Sequence, residues 1–402
     1  MAVRAFLHPA SLGMAAHVVR ARLGRALRGH RRDDGTAEEI LAAGLERCWN
    51  DTYLTASPGT YRQFWTRDTG FAAPALVRLG GPWPERLLRT LEWALESWHR
   101  RRSHVTTTIS PLGRVPVDLF DYGVDSLPLL LASLRSLAEG GSPAVAERAA
   151  SLVASNRDWL AAEVEHYVRT VVDPATGLVR ADRRFSAHRD TFRNGSTAYG
   201  NVMVALLGRT LVETGWGPDI LGGWFERDGS HEWDALLRRH FWAGDRFRDR
   251  LGSDETSGEA NVWPFFAGLV DDRELQAAAL ATLQRESYTT PYPLRFVVRH
   301  RHDGMLPVFR LYSPDYQTTT AWTSLGSMYL SLLREVEPAG AGIELDRMRA
   351  LIERDGTFWE VIDRSGRPWR SRIRLSISDA AMLWSAILLH TLLEPEAAPL
   401  RI

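Results

Sequence analysis

Four stretches of the 402-residue chain concentrate acids, arginines and aromatics. In YRQFWTRDTGF (61–71), Arg67 and Asp68 stand beside Trp65 at the mouth of a predicted helix. An aspartate at that position can cap the helix. An arginine–aspartate pair beside an indole also suits hydroxyl recognition, which needs donors and acceptors held in fixed directions. VPVDLFDYGVDSLPLL (115–130) carries Asp118, Asp121 and Asp125, and Asp125 opens an otherwise apolar helix. A carboxyl on an apolar segment resists ionisation, because desolvation disfavours the charged form, and a general acid requires that property. Capping beside Ser126 is the competing use of the position.

The third region joins ADRRFSAHRDTFRNGSTAY (181–199) to LGSDETSGEANVWPFF (251–266). Asp182, Arg183 and His188 come from the first, and Glu259, Asn261 and Trp263 from the second, as a substrate-side cluster. No second histidine stands at ligand spacing from His188, so no metal site is expected. The fourth, GTFWEVIDRSGRPWRSRIRLSISDAAMLW (356–384), places Glu360 next to Trp359 in a loop ahead of an apolar helix. Asp125 and Glu360 together would supply the paired carboxyl groups that glycosidic cleavage needs.

These residues need a scaffold that gathers distant loops. Apolar periodicity with caps and breakers predicts twelve helices. They run over 36–53, 68–79, 82–101, 125–137, 143–171, 196–213, 232–242, 259–270, 272–286, 318–335, 343–354 and 378–393. Val105–Val117 reads instead as a small β-hairpin around a Pro-Leu-Gly turn. Segments such as PLLLASLRSL (128–137) are apolar on both faces, as inner helices of a double ring would be. The expectation is all-α: an (α/α)6 toroid of six helical hairpins over residues 36–402, with loops at one end forming a concave floor.

Residues 1–35 read separately, as a peripheral helix followed by a frayed linker. The first 32 hold seven arginines and no acid. All 49 basic residues of the chain are arginine, balanced by 49 acids, so net charge gives no case for a nucleic-acid partner. Cys48 is the single cysteine, which excludes an internal disulfide and suits a reducing, cytoplasmic setting. No apolar run approaches the roughly 18–20 residues of a membrane span. No dinucleotide or phosphate-loop motif occurs, and no cofactor is expected. The partner expected is a small carbohydrate, and the sequence leaves oligomeric state open.

TFWEVIDRSGRPWRSRIRLSISDAAMLWSAILL (357–389) resembles the late motif of the neutral and alkaline invertases and their relatives. VPVDLFDYGVDSLPLLLASL (115–134) is similar to their earlier Pro-Val-Asp-Ser motif, and FWTRDTGFAAPALVRLG (64–80) to their Arg-Asp segment. ADRRF (181–185) and AYGNVMVALLGRTL (198–211) resemble their Asp-Arg-Arg and Tyr-Gly region. The resemblance implies that Asp125 is the general acid, that Glu360 is the base activating water, and that Arg67 and Asp68 bind the non-reducing sugar. Gly123 stands where that pattern has a proline, and Leu127-Pro128-Leu129 where it has aromatics. The expectation therefore widens from invertases to six-hairpin α-glucosidases, trehalases, glucoamylases and debranching glucosidases: an inverting, exo-acting hydrolase of a small α-glucoside. The alternatives are a sugar epimerase or isomerase on the same ring, working through histidines such as His188, His300 and His302, or a carbohydrate-binding relative without catalysis.

Overall fold

The computed structural model describes residues 9–118, 122–192, 194–216, 233–299, 304–372 and 376–402. Among them are fifteen α-helices and five short strands. Six helices are buried along nearly their whole length: α3 (Thr66–Leu79), α5 (Ser126–Gly140), α8 (Ala198–Thr214), α10 (Gly258–Phe266), α13 (Thr323–Val336) and α15 (Ser385–Leu393). Each packs on the next, and α15 returns to α3, so they close a ring. A helix enclosed this way must be apolar or small all round.

The outer helices carry a single apolar stripe, as one-sided burial requires. On α6 (Pro143–Ser155) the stripe is Val145, Ala149 and Val153, and on α14 (Pro338–Asp355) it is Ala341, Leu345, Met348 and Ile352. Against the ring lie also α2 (Ala37–Glu46), α4 (Trp83–Arg101), α7 (Arg157–Val171), α9 (Trp233–Phe241) and α11 (Arg273–Arg285). The short α12 (Pro307–Tyr312) has no counterpart in the sequence reading. The expected six-hairpin toroid is the observed architecture. No helix among the described residues is long and apolar enough to cross a membrane.

The expected hairpin forms from β2 (Thr108–Ser110) and β3 (Val115–Val117), and β1 (Phe64–Trp65) adds a third antiparallel strand. Thr66 continues from β1 into α3, which fixes where Arg67 and Asp68 emerge. The helix predicted over 36–53 ends at Glu46 and the one predicted from 343 begins at Pro338, and three further boundaries differ from expectation. The helix predicted over 143–171 breaks at Asn156, whose backbone is non-helical and whose side-chain amide donates to the Leu152 carbonyl. The helix predicted from 318 begins at Thr323, because Ala321–Trp322 forms β4 and pairs with β5 (Val361–Ile362). The helix predicted from 378 begins at Ser385, because the preceding backbone pairs with the loop holding Glu360, Trp359 bridging to Ala380.

The N-terminal segment holds α1 (Pro9–Arg28). Its connection to α2 is tied down rather than frayed. Asp33 accepts two guanidinium hydrogen bonds from Arg47, its backbone N–H reaches the Gly356 carbonyl, and Thr36 closes a capping box with Glu39.

Helix α3 approaches α5 closely near the mouth. A Cβ on Gly70 would lie 2.5 Å from the Leu129 Cβ. Gly70→Val is therefore expected to cost about 1–3 kcal/mol of stability through overpacking. Urea unfolding checks this, and an unchanged midpoint would show that the two helices can separate freely.

Candidate active site

The side chains at the start of three inner helices converge. Arg67, in the first turn of α3, donates from Nε to Asp125 Oδ2 at 2.6 Å and from Nη2 to Asp125 Oδ1 at 3.3 Å. Asp125 sits at the N-cap of α5 but makes no capping hydrogen bond, so the capping use of this residue is not the one adopted. Tyr199, in the first turn of α8, donates its hydroxyl to Asp125 Oδ2 at 2.7 Å. The remaining guanidinium nitrogen reaches Asp190 Oδ2 at 2.9 Å. Helix N-termini carry partial positive charge, and ringing one mouth with them favours carboxylates there.

The loop supplying Asp190 is held by backbone pairing. Ser186 donates its N–H to the Tyr122 carbonyl, and its own carbonyl accepts from Val124. Its hydroxyl then bridges Arg67 and Asp190. Gly123 lies within this pairing, and a Cβ there would collide with Ser126 and come within 2.8 Å of the Thr107 hydroxyl. A larger residue here would have to displace those two side chains.

Glu360 enters from the last long connection. It is buried, accepts the Tyr316 hydroxyl on Oε1 at 2.6 Å, and accepts the Asp379 backbone N–H on Oε2 at 3.0 Å. Burial, and after it the Asp379 carboxylate, pushes its proton affinity above the ordinary glutamate range. Tyr61 stands 3.4 Å from the Tyr316 hydroxyl. Arg22 of α1 interacts electrostatically with Tyr61, Tyr316 and Glu360, and its buried Nε has no hydrogen-bond partner.

Asp68 lies between the two groups. Burial pushes its carboxyl up to about 8, with the negative charges of Glu360 and Asp190 adding to the shift and Arg67 opposing it. A carboxyl of that kind carries a proton at neutral pH. Asp190 is also raised, chiefly by burial, while Arg67 pulls the other way. Trp65, half-buried and edge-on to Tyr61, has an indole N–H with no partner, and it can donate to a ligand.

The other sequence candidates fall elsewhere. His188 and Trp263 are buried in an aromatic layer with Phe71 and Tyr199. Burial, then the charges of Arg67 and Arg189, holds the His188 imidazole well below its usual range. Glu259 pairs with Arg189 at 2.6 Å, and burial pushes it up to about 7. Asn261 spends its amide on Phe247, Thr256 and the Ser257 carbonyl, which leaves it a structural clasp for that loop. Trp359 is buried and donates to Asp355, and Asp182 and Arg183 are exposed on a turn. Asp118 accepts from Thr107 and contacts His104, while Asp121, His300 and His302 lie outside the described residues. No group of three potential metal ligands occurs among the described residues. Residue-by-residue reading did not single out Tyr61, Asp190, Tyr199, Tyr316, Asp379 or Arg22. Tyr61, Asp190, Tyr199 and Asp379 do lie inside the stretches quoted above.

No protein-family model matches the chain, and no curated protein matches it. Solved structures do. A glycosidase variant in complex with glucose is similar over 89% of this chain and 95% of its own, at 16% identity and a TM-score of 0.61. A rhamnosidase from Klebsiella oxytoca with rhamnose bound is similar over 90% of this chain and 63% of its own, at 13% identity and 0.62. A GH63 mannosylglycerate hydrolase from Thermus thermophilus, in complex with Tris and D-glycerate, matches over 89% of this chain and all of its own, at 16% identity and 0.57. At these identities the likeness establishes the fold: this is the six-hairpin toroid that those glycosidases use.

The raised affinity of Asp68 has a stability consequence of definite sign. An unfolded aspartate releases its proton near pH 4 (about 3.9), whereas the folded group keeps it up to about 8. Between those values the folded state holds the extra proton, so this group's contribution to stability is lost as pH rises through the window. Asp68→Asn stays neutral in both states. Its melting temperature relative to the unaltered protein is expected to climb by a few degrees between about pH 5 and about pH 9. A difference that does not vary with pH would show that Asp68 ionises normally.

Proposed function

We propose that the chain is an inverting, exo-acting glycoside hydrolase of a small α-glucoside, acting in the cytoplasm without a cofactor. The observation that carries this reading is the gathering of Asp68, Asp125, Asp190 and Glu360 around Arg67 and Tyr316 at the mouth of the ring. Neighbouring carboxyls whose surroundings give them different proton affinities are the usual basis for dividing acid from base. The shared fold with sugar-bound glycosidases supports it.

Glu360 is the base. One oxygen accepts a phenol and the other a backbone amide, so its orientation is fixed while a lone pair remains for a water proton. Asp125 is the acid that the sequence resemblance assigns. To deliver a proton it must exchange its guanidinium and Tyr199 contacts for the glycosidic oxygen, and sugar hydroxyls that engage Arg67 would drive that exchange. A second reading rests on Asp68, which needs no such release because burial already keeps its proton in place. In inverting enzymes the acid and base stand roughly 6.5–9.5 Å apart, leaving space for the attacking water. Arg22 offers a cation to an aglycone that carries a carboxylate, which places glucosylglycerate beside sucrose, trehalose and maltose as a substrate to assay. An epimerase reading would use His188 with Glu259, which stands 3.5 Å from its Nδ1, but both are buried and the imidazole is enclosed by aromatic rings, which argues against it.

Glu360→Gln keeps the side-chain shape but cannot accept a proton, and turnover is expected to fall by roughly 10²–10⁴-fold with KM preserved. NMR of the first-formed sugar should show the β-anomer, and an α-anomer would rule out inversion. The acid is identified with a leaving group that departs without protonation, such as fluoride. The Asp125→Asn variant is expected to lose activity on the natural glucoside and keep most of it on the fluoride. If Asp68→Asn shows that pattern instead, the role passes to Asp68, and equal losses on both substrates in both variants would remove each from it.

A further inference from the structure

Between α1 and the barrel lies a cleft of about 680 Å³. Arg20, Arg25, Arg28, Arg31, Arg47 and Arg62 line it. Among the described residues, two acids pair with this set. Asp379 holds Arg25, and Asp33 holds Arg47 and, at 3.3 Å, Arg31. Arg62 gives its Nε to the Pro58 carbonyl, while Arg20 and Arg28 pair with no acid. His17 also lines the cleft, and its buried Nε2 has no hydrogen-bond partner.

Arginines on an ordinary helix surface point apart into solvent, where water screens them. Here six arginines, four from α1 and the residues just after it together with Arg47 and Arg62, line one concavity whose single lining acid is Asp379. Their mutual repulsion is relieved by an anion between them. The guanidinium fork matches phosphate oxygens two at a time, and the volume falls within the ordinary range for small-ligand sites. The opposite wall is cut to fit. At Gly59 a Cβ would stand 2.5 Å from the Arg25 guanidinium and 2.6 Å from Asp379 Oδ1, so a larger residue there would crowd their ion pair.

We propose that this cleft binds an anion carrying two or more phosphate groups. Asp379 forms part of its wall and also fixes Glu360 through its backbone N–H, so an anion that draws Arg25 from Asp379 alters the charge facing Glu360. The same phosphate chemistry exists free in solution and on lipid headgroups. Val19, Leu23 and Leu27, exposed along α1, make the second source physically accessible.

Inorganic tripolyphosphate is the probe, followed by calorimetry on the full chain at fixed ionic strength. Saturable binding at one site is expected, weakened at least about tenfold in the Arg20→Ala/Arg28→Ala double variant, since each loses a charge-assisted contact. Both residues are surface groups outside the acid–base cluster, and circular dichroism confirms that the variant is folded. Vesicles containing a bisphosphorylated inositol lipid separate the sources. Sedimentation with them that tripolyphosphate reverses assigns the site to a headgroup, and no sedimentation assigns it to a free anion. Absence of saturable tripolyphosphate binding overturns the proposal, as does equal binding by the double variant, which would mark an adventitious ion only.

Discussion

The Arg67 guanidinium is the charge on which the rest of this site depends. A cation withdrawn from water is costly unless it is paired and hydrogen-bonded in full. Here Asp125 takes two of its nitrogens, Asp190 the third, and Ser186 shares one. Those partners come from α5 and from the loop before α8, so satisfying one guanidinium also locks neighbouring inner helices and that loop in register. The same pairing leaves Asp68, next along α3, without a full counter-charge. Its raised proton affinity follows from burial, which outweighs the opposing pull of the Arg67 charge.

Glu360 depends on a different support. Strands β4 and β5 bring the backbone of 359–362 against the start of α13, and the segment before α15 pairs from the other side. Glu360 is clamped between them, its carbonyl accepting from Thr323 and its carboxyl from Tyr316 and Asp379. Rigid placement of this kind is what proton transfer from a water molecule requires, since reach and direction decide its rate. Phe71, His188, Tyr199, Trp263 and Trp322 form a buried aromatic layer of mutually packed rings, and Tyr199 joins that layer to Asp125.

The basic N-terminal helix belongs to the same end of the molecule. Arg25 ties it to Asp379 and the Ser378 carbonyl, and Arg22 reaches towards Tyr61, Tyr316 and Glu360. Thr60 and Ser57 complete the shell around Asp379. A segment that composition alone presents as a solvated arginine run thus contributes charge to the wall around the acids.

The sequence by itself determined the ring. Apolar periodicity, caps and breakers depend on neighbours a few residues apart, so most helices are legible in sequence, and segments such as 128–137 are legible as apolar on both faces. It also marked Arg67, Asp68, Asp125 and Glu360, because charged residues at the edges of apolar helices stand out in composition. What tertiary structure alone decided was which polar groups meet. Asn261, Glu259 and Trp359 look equally suited to a ligand in one dimension, but they spend their hydrogen bonds on backbone or on buried partners. Tyr61, Tyr199, Tyr316 and Asp379 look ordinary in sequence and gain their places only when chain segments 44 to 322 residues apart close on the carboxyls of Asp125, Glu360 and Asp379. Ion pairing and desolvation act over a few ångströms of space, and no local pattern records which distant charge will lie within that range.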